Sequence, residues 1–390
     1  MQNTAIIGAV IVIAVIAGIG FYLTSNPSPA ITTTATTVPV STIATTAAIT
    51  STATTTAQTT ASEVTTPTTT IQPHSNNLQV PWKMAGGNYT VQNQQYCTSS
   101  NQQANGALQL DLYSNAPVNY SSIGNGLRPI AVFVHGGGLM TGDKSSVGSD
   151  SPVFATIVNY LISNGFIVAS LNYNLAPSFK YPNQTDDVLC AVRFLRYYAK
   201  SFDGNPDQIA VFGDSSGGQL ATAIGVTNGT APWENEEGLQ IFGATNLTAL
   251  QYLDIPTKPQ VVGDFYGSIN NTMPPGYTEQ QVQQMMPQTY QNIVAVYNYN
   301  ATLMYEGSPA QFVTSGEPPF LIFQGNNDTM VPSYISKDFY DNLIAHGDTA
   351  TLIIVNNSDH RFVPSPSTSQ LHPGLAYIAN YTVSYFKKII

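Results

Sequence analysis

The sequence predicts an α/β domain built on a mostly parallel sheet, because short apolar strands alternate with helical segments along most of the chain. Glycine-rich or polar segments follow several of these strands. The predicted strands cover residues 108–113, 129–134, 166–171, 209–212, 259–266, 319–323 and 351–355. The predicted helices cover 187–199, the segment from a sharp turn at 213–218 to about 226, 334–345 and 371–388.

Each element follows from its own pattern. Residues 108–113 alternate between apolar and polar side chains, whereas 129–134 and 166–171 are continuous apolar runs suited to buried strands. Residues 187–199 carry apolar side chains at helical spacing. The segment 276–300 interrupts the alternation and predicts a small helical cap inserted between strands. Its candidate pocket residues, which could equally pack the cap onto the body, are Met285, Met286, Tyr290 and Tyr297.

The N-terminal part divides from the rest by its composition. Residues 1–62 contain no charged side chain. Residues 4–23 form an uncharged apolar run of about 30 Å as a helix, which predicts a transmembrane anchor in residues 1–23 that contacts membrane lipid. A cleaved signal sequence is the alternative, although the run lacks a basic flank. Residues 24–76 are rich in Thr, Ser, Ala and Pro and predict a disordered stalk, which leaves 77–390 as the catalytic domain.

Glycosylation motifs favour an extracellular catalytic domain. Sequons of the type N-x-[ST] occur at Asn88, Asn119, Asn183, Asn228, Asn246, Asn270, Asn300, Asn327, Asn356 and Asn380. Cys97 and Cys190 either form a disulfide in an oxidising exterior or remain two free thiols. We expect a cell-membrane protein with one span, or a secreted one if the N-terminal segment is cleaved.

The charge balance excludes one class of partner. The formal net charge is −10 and only 9% of residues are charged, so nothing would neutralise the phosphates of a nucleic acid. The Cys and His residues show no metal-ligand spacing, so we expect no metal site. The oligomeric state stays open.

Two glycine motifs predict nucleophilic catalysis. Ser215 lies between Gly213 and Gly217 in a G-x-S-x-G pattern, directly after a predicted strand. Ser216 would break that spacing, and we expect its backbone N–H to face a developing oxyanion instead. The remaining oxyanion donors are expected from an earlier run after the strand 129–134. That run comprises His135, Gly136, Gly137 and Gly138, of which Gly137 and Gly138 supply the N–H groups.

The base and the acid are found by their positions. Of the five histidines, His360 is the one in a loop after a late strand, where the base belongs. Asp328 likewise follows the strand 319–323, whereas Asp359 is adjacent to His360 and would have difficulty folding back onto its ring. The chain order Ser215, Asp328, His360 is typical of an α/β-hydrolase serine esterase.

From about residue 108 onward the chain resembles the α/β-hydrolase carboxylesterases related to hormone-sensitive lipase and to prokaryotic esterase/lipase proteins. The resemblance runs through HGGGLMTGDKSS, NYNLAP, the segment from DDVLC to GDSSGG, GSPAQFV and PPFLIFQGNNDTMVP. It implies an α/β-hydrolase fold and ester hydrolysis without a cofactor. Tyr173 and Asp187 match family positions that we interpret as structural.

The chain departs from the family pattern at four positions. The family usually has His at 324, Ala at 216, Gly at 361 and often an aromatic residue at 139, where this chain has Gln, Ser, Arg and Leu. None of these changes removes a catalytic group. Arg361, beside His360, is expected to alter the charge of the pocket and thereby the substrate.

The predicted function is a serine carboxylesterase acting through an acyl-enzyme on small-molecule or glycan-linked esters. A serine peptidase or amidase of the same fold is one alternative, since the same triad cleaves amides. A catalytically silent surface or adhesion domain is the other.

Overall fold

A computed structural model describes residues 88–97, 108–115, 126–148, 152–227, 254–272, 278–285 and 287–390. The predicted anchor and stalk lie outside these residues, so both remain predictions. Among the described helices, none is long and apolar enough to cross a bilayer.

Eight strands form one sheet in the described part of the chain. They are β1 (Asn88–Gln95), β2 (Gln109–Asn115), β3 (Arg128–Val134), β4 (Ile167–Leu171), β5 (Gly204–Asp214), β6 (Val261–Phe265), β7 (Phe320–Gly325) and β8 (Ala350–Val355). Their order is β1-β2-β4-β3-β5-β6-β7-β8. The β1–β2 and β2–β4 pairs are antiparallel, and every pairing from β4 to β8 is parallel. The predicted mostly parallel sheet is confirmed.

Helices cover both faces of this sheet. They are α1 (Pro152–Ser163), α2 (Asn183–Tyr198), α3 (Ser216–Thr227), α4 (Glu279–Met285), α5 (Pro287–Tyr297), α6 (Ala301–Glu306), α7 (Ser333–Ala345) and α8 (Leu375–Ile389). Alternate residues of β3 point to opposite faces, so Ile130, Val132 and Val134 pack with α2, α3 and α7. Ala131 and Phe133 pack with α1 and α8 on the other face. The sheet is therefore buried on both sides, as parallel sheets usually are.

Two predicted helix boundaries differ from the structure. Helix α2 begins at Asn183, whereas the sequence predicts a start at 187. The prediction misses the first turn because its side chains are polar, although Gln184 and Thr185 are buried. Helix α8 begins at Leu375 rather than 371, because His372 pairs with Asn356 in a short β-bridge before the helix starts. The sequence analysis did not predict strand β1 or the helices α1 and α6.

The two cysteines are joined. Cys97, just after β1, forms a disulfide with Cys190 of α2, with 6.4 Å between their Cα atoms. Both residues are buried, so the bond fastens the edge of the sheet to a core helix. Of the two possibilities left open by the sequence, the structure contains the bonded one.

Candidate active site

Ser215 lies in a tight turn between β5 and α3. Its φ is +52°, in the left-handed region that side chains rarely adopt. The turn is held by the Ser215 N–H, which donates to the Phe265 carbonyl at 2.9 Å. Ser216 opens α3, so its N–H is one of the first-turn donors that have no acceptor within the helix.

The flanking glycines are required by close backbone approach. A Cβ on Gly213 would lie 2.5 Å from the backbone of Gly217, and one on Gly217 would lie 2.1 Å from the Val134 carbonyl oxygen. Neither contact is possible for real atoms. The two glycines of the G-x-S-x-G pattern are therefore needed because the turn packs tightly against β3.

Ser215, His360 and Asp328 form a continuous chain of contacts. His360 Nε2 lies 3.0 Å from Ser215 Oγ, and His360 Nδ1 lies 2.8 Å from Asp328 Oδ2. Asp328 is buried in the loop after β7, and His360 is buried after β8. The three side chains, far apart in sequence, thus meet at the carboxyl edge of the sheet.

The other described candidates for the catalytic acid and base have different partners. Asp359 Oδ1 accepts from the N–H groups of His360 and Thr329 and from the Thr329 hydroxyl, whereas the His360 ring contacts Asp328 and Ser215. His346 ends α7, where its Nδ1 lies 2.9 Å from the Asn342 carbonyl oxygen. His372 forms the bridge before α8, and His74 is outside the described residues.

Asp328 is held by four donors. Its Oδ1 accepts from the N–H groups of Met330 and Val331 at 2.9 and 2.8 Å. Its Oδ2 accepts from the Gln324 side-chain amide at 3.1 Å as well as facing His360. The Ser336 hydroxyl donates to Gln324 Oε1 at 2.8 Å, which fixes the amide with its NH₂ towards Asp328. Four donors thus satisfy both oxygens of this buried carboxylate.

The glycine run forms a turn opposite Ser215. Gly137 and Gly138 have φ values of +119° and +65°, and both line a cavity of about 610 Å³ together with Ser215, Ser216 and His360. His135 is not part of that lining. Its buried ring stacks on Tyr173 at 4.3 Å, and the Tyr173 hydroxyl donates to its carbonyl oxygen at 2.8 Å. His135 and Tyr173 thus brace the turn that carries the glycines.

The cap meets the cavity through α5, and the structure decides between the two roles left open for Tyr290 and Tyr297. Tyr297 lines the cavity, and its hydroxyl accepts from the Gln219 side chain at 2.8 Å. Tyr290 does not line it, because its hydroxyl donates to Glu279 of α4 at 2.9 Å. Met286 and the side chain of Met285 are outside the described residues. The α5 residues that line the cavity are Gln288, Thr289, Asn292, Ile293, Val296 and Tyr297.

The most informative residue that the sequence did not identify by role is Gln324. Its departure from the family pattern marks the position, but only the structure shows that its amide supports Asp328. Asn292 is similar, since its side-chain nitrogen lies 2.9 Å from where a Cβ of Gly138 would stand. No sequence motif marks Asn292. Asp187, expected to be structural, accepts from the Asn174 N–H at 2.8 Å.

Two further carboxyl groups lie under the turn that carries Ser215. Burial raises the pKa of Asp214 to about 6, although the Gly136 N–H, which donates to it at 2.8 Å, and the charge of Arg361 both oppose that rise. Burial raises the pKa of Asp264 to about 7. Asp264 Oδ1 accepts from the Gly267 N–H at 2.9 Å, while no described group bonds to its Oδ2.

Comparison with known proteins finds a matching family model and several relatives that are named esterases. The BD-FAE family model matches residues 110–343. The esterase LipQ of Mycobacterium tuberculosis is 26% identical over 237 residues, which are 60% of this chain and 50% of LipQ. The carboxylesterase NlhH of the same species is 34% identical over 96 residues, 25% of this chain and 28% of NlhH. The chain spans about half the length of the first curated relatives it matches.

Solved structures give the same fold at lower identity. A truncated carbohydrate esterase from gut microbiota superposes with a TM-score of 0.57 at 20% identity, covering 79% of this chain and 96% of that one. This similarity shows the α/β-hydrolase fold that the sequence predicts.

Asp264→Asn should make stability less dependent on pH. The folded protein holds the Asp264 proton up to a pKa of about 7, whereas an unfolded Asp releases it near pH 4. The contribution of this group to stability therefore falls as pH rises from about 4 to 7. Asn mimics the protonated form, so we expect a gain of about 2–4 kcal/mol at pH 8 and a smaller one at pH 5.

Thermal melts between pH 5 and 8 measure this difference. Asp338→Asn is the matched control, because it removes the same charge from an exposed position on α7. Parallel melting curves for wild type and Asp264→Asn across that range would contradict the prediction.

Proposed function

The chain belongs to the BD-FAE family, and from that premise we propose that it is a serine carboxylesterase with Ser215 as its nucleophile. The observation that carries the proposal is the contact chain from Asp328 through His360 to Ser215 at the wall of a cavity. The names of its relatives LipQ and NlhH, an esterase and a carboxylesterase, support the same reaction class.

The first half-reaction forms an acyl-enzyme. Ser215 Oγ attacks the ester carbonyl carbon while His360 Nε2 takes its proton, because a neutral hydroxyl is a weak nucleophile. The carbonyl oxygen becomes an oxyanion, stabilised by the N–H groups of Gly137, Gly138 and Ser216. The bond to the alcohol oxygen then breaks, and His360 returns the proton to the departing alcohol.

The second half-reaction restores the enzyme. Water takes the place of the alcohol and attacks the acyl carbon while His360 accepts its proton. The bond to Ser215 Oγ breaks, the proton returns to that oxygen, and the carboxylic acid leaves. Asp328 holds the His360 ring in the tautomer that places Nδ1–H towards the carboxylate, which leaves Nε2 able to accept protons from both nucleophiles.

Ser215→Ala and Ser216→Ala should differ strongly in their effect on hydrolysis of a short-chain aryl ester. Loss of the Ser215 hydroxyl should abolish turnover, by a factor of about 10⁶ in a comparable triad. Ser216→Ala should keep most activity, since its proposed contribution is a backbone N–H. Steady-state kinetics compares the two variants, and circular dichroism verifies their folding. If Ser216→Ala were the inactive variant, the nucleophile would be assigned to the wrong serine.

We also propose that the catalytic domain is displayed outside the cell on a stalk of residues 24–76, anchored by residues 4–23. The disulfide between Cys97 and Cys190 supports an oxidising compartment. Several acceptor asparagines of the described sequons are exposed, as glycosylation requires: Asn300, Asn327, Asn356 and Asn380.

A variant that begins at Asn77 should be soluble and as active as the full chain, because the removed residues are proposed to be either in lipid or outside the core. Membrane fractionation, thermal melts and turnover of a soluble ester compare the two proteins. Release of the full chain from membranes by salt alone would contradict the anchor. A large fall in melting temperature on truncation would show instead that the removed residues stabilise the catalytic domain.

A further inference from the structure

Arg361 stands in an unfavourable backbone conformation beside His360. Its φ of +63° and ψ of +20° lie in the left-handed region, which favours glycine. A non-glycine residue persists in this region only where the surrounding structure enforces it, and such residues concentrate at functional sites. Nothing in the proposed ester hydrolysis requires a side chain at this position.

The side chain of Arg361 belongs to the cavity that contains Ser215. It is exposed, and it lines the cavity together with the glycine turn and α5. Apart from Arg361, His360 and Asp214, the described lining residues are uncharged. Among the described residues that line the cavity, Arg361 is therefore the one with a permanent positive charge.

A positively charged side chain at this position is unusual because the chain as a whole is acidic. The sequence has 12 Lys and Arg residues against 22 Asp and Glu. A protein with this balance repels anionic ligands at long range. A guanidinium at the cavity is the group that could offset that repulsion locally, and its planar fork matches a carboxylate in two parallel hydrogen bonds.

We propose that Arg361 is a specificity-determining residue that binds a carboxylate on the substrate, so that the preferred esters are anionic. This inference rests on the proposed esterase function and adds the chemical class of its substrate. The carboxylate belongs either to the acid part or to the alcohol part of the ester, since both parts occupy the same cavity.

Two pairs of esters test the proposal and separate these cases. Monomethyl glutarate and the methyl ester of glutaramic acid differ only by a carboxylate or an amide on the acid side. Para-acetoxybenzoate and para-acetoxybenzamide differ in the same way on the alcohol side. The measured quantity is the ratio of kcat/KM for the anionic ester to kcat/KM for its neutral partner.

We expect this ratio to fall about tenfold in Arg361→Gln for at least one pair, which is typical of losing a charge-assisted hydrogen bond at an exposed site. Arg361→Gly should lower it equally, and Arg361→Lys should keep part of it because the charge remains without the fork. The wild-type ratio should also fall as ionic strength rises, because salt screens an exposed charge.

Lys200→Gln is the matched control. Lys200 is exposed and does not line the cavity, so the variant changes the net charge by the same amount and should leave the ratio unchanged. Equal ratios in wild type and Arg361→Gln for both pairs, or an equal fall in Lys200→Gln, would overturn the proposal while esterase activity stands. Failure of the wild type to hydrolyse any of the four esters would overturn the proposed function itself.

Discussion

The Asp328 carboxylate is the group on which the arrangement of the site depends. It lies in a loop after β7, yet two backbone N–H groups, the Gln324 amide and the His360 ring all meet its two oxygens. A buried carboxylate without such partners would be strongly destabilising. These partners hold it in one orientation, so it fixes the plane of the His360 ring, which in turn places Nε2 at Ser215 Oγ.

The hydrogen bonds that hold Asp328 continue into the core through the side chain of Gln324. This side chain is fully buried at the end of β7, where its NH₂ also donates to the Val331 carbonyl oxygen at 3.0 Å. Ser336 of α7 holds the other end of the amide. The loop that carries Asp328 is thus hydrogen-bonded to Gln324 of β7, which is itself hydrogen-bonded to α7. A neutral amide performs this support at any pH, whereas the histidine usual in related esterases would change charge near neutral pH.

The sequence was most informative where chemistry and chain order coincide. The motif around Ser215 and the strand-end positions of Asp328 and His360 sufficed to select three residues separated by 145 and 32 positions, and the structure brings them into contact. The order of elements likewise predicted the parallel sheet. The contribution of the cap was predicted less well. The phase of a short helix such as α5 could not be read from its sequence, which left open whether Tyr290 lines the cavity or packs within the cap; its hydroxyl bonds to Glu279 of α4.

Buried polar groups explain most of the remaining differences. Gln184 and Thr185 extend α2 beyond its apolar pattern, and Gln324 supports Asp328 at a position that departs from the family pattern. The Gln184 amide donates to the Phe179 carbonyl oxygen, and the Gln324 amide lies between Asp328 and Ser336. Apolar periodicity carries no signal for such bonds, so the sequence did not reveal them. The Cys97–Cys190 bond is similar, because sequence places neither cysteine in space.

Acylation of Ser215 during turnover is the step on which the proposed function depends. Rapid quenching of the enzyme with an aryl acetate, followed by peptide mass mapping, measures this directly. We expect a burst of phenolate equal to the enzyme concentration and one acetyl group on Ser215. Steady turnover with the acetyl group on another residue, or with no burst and no adduct at any quench time, would contradict it.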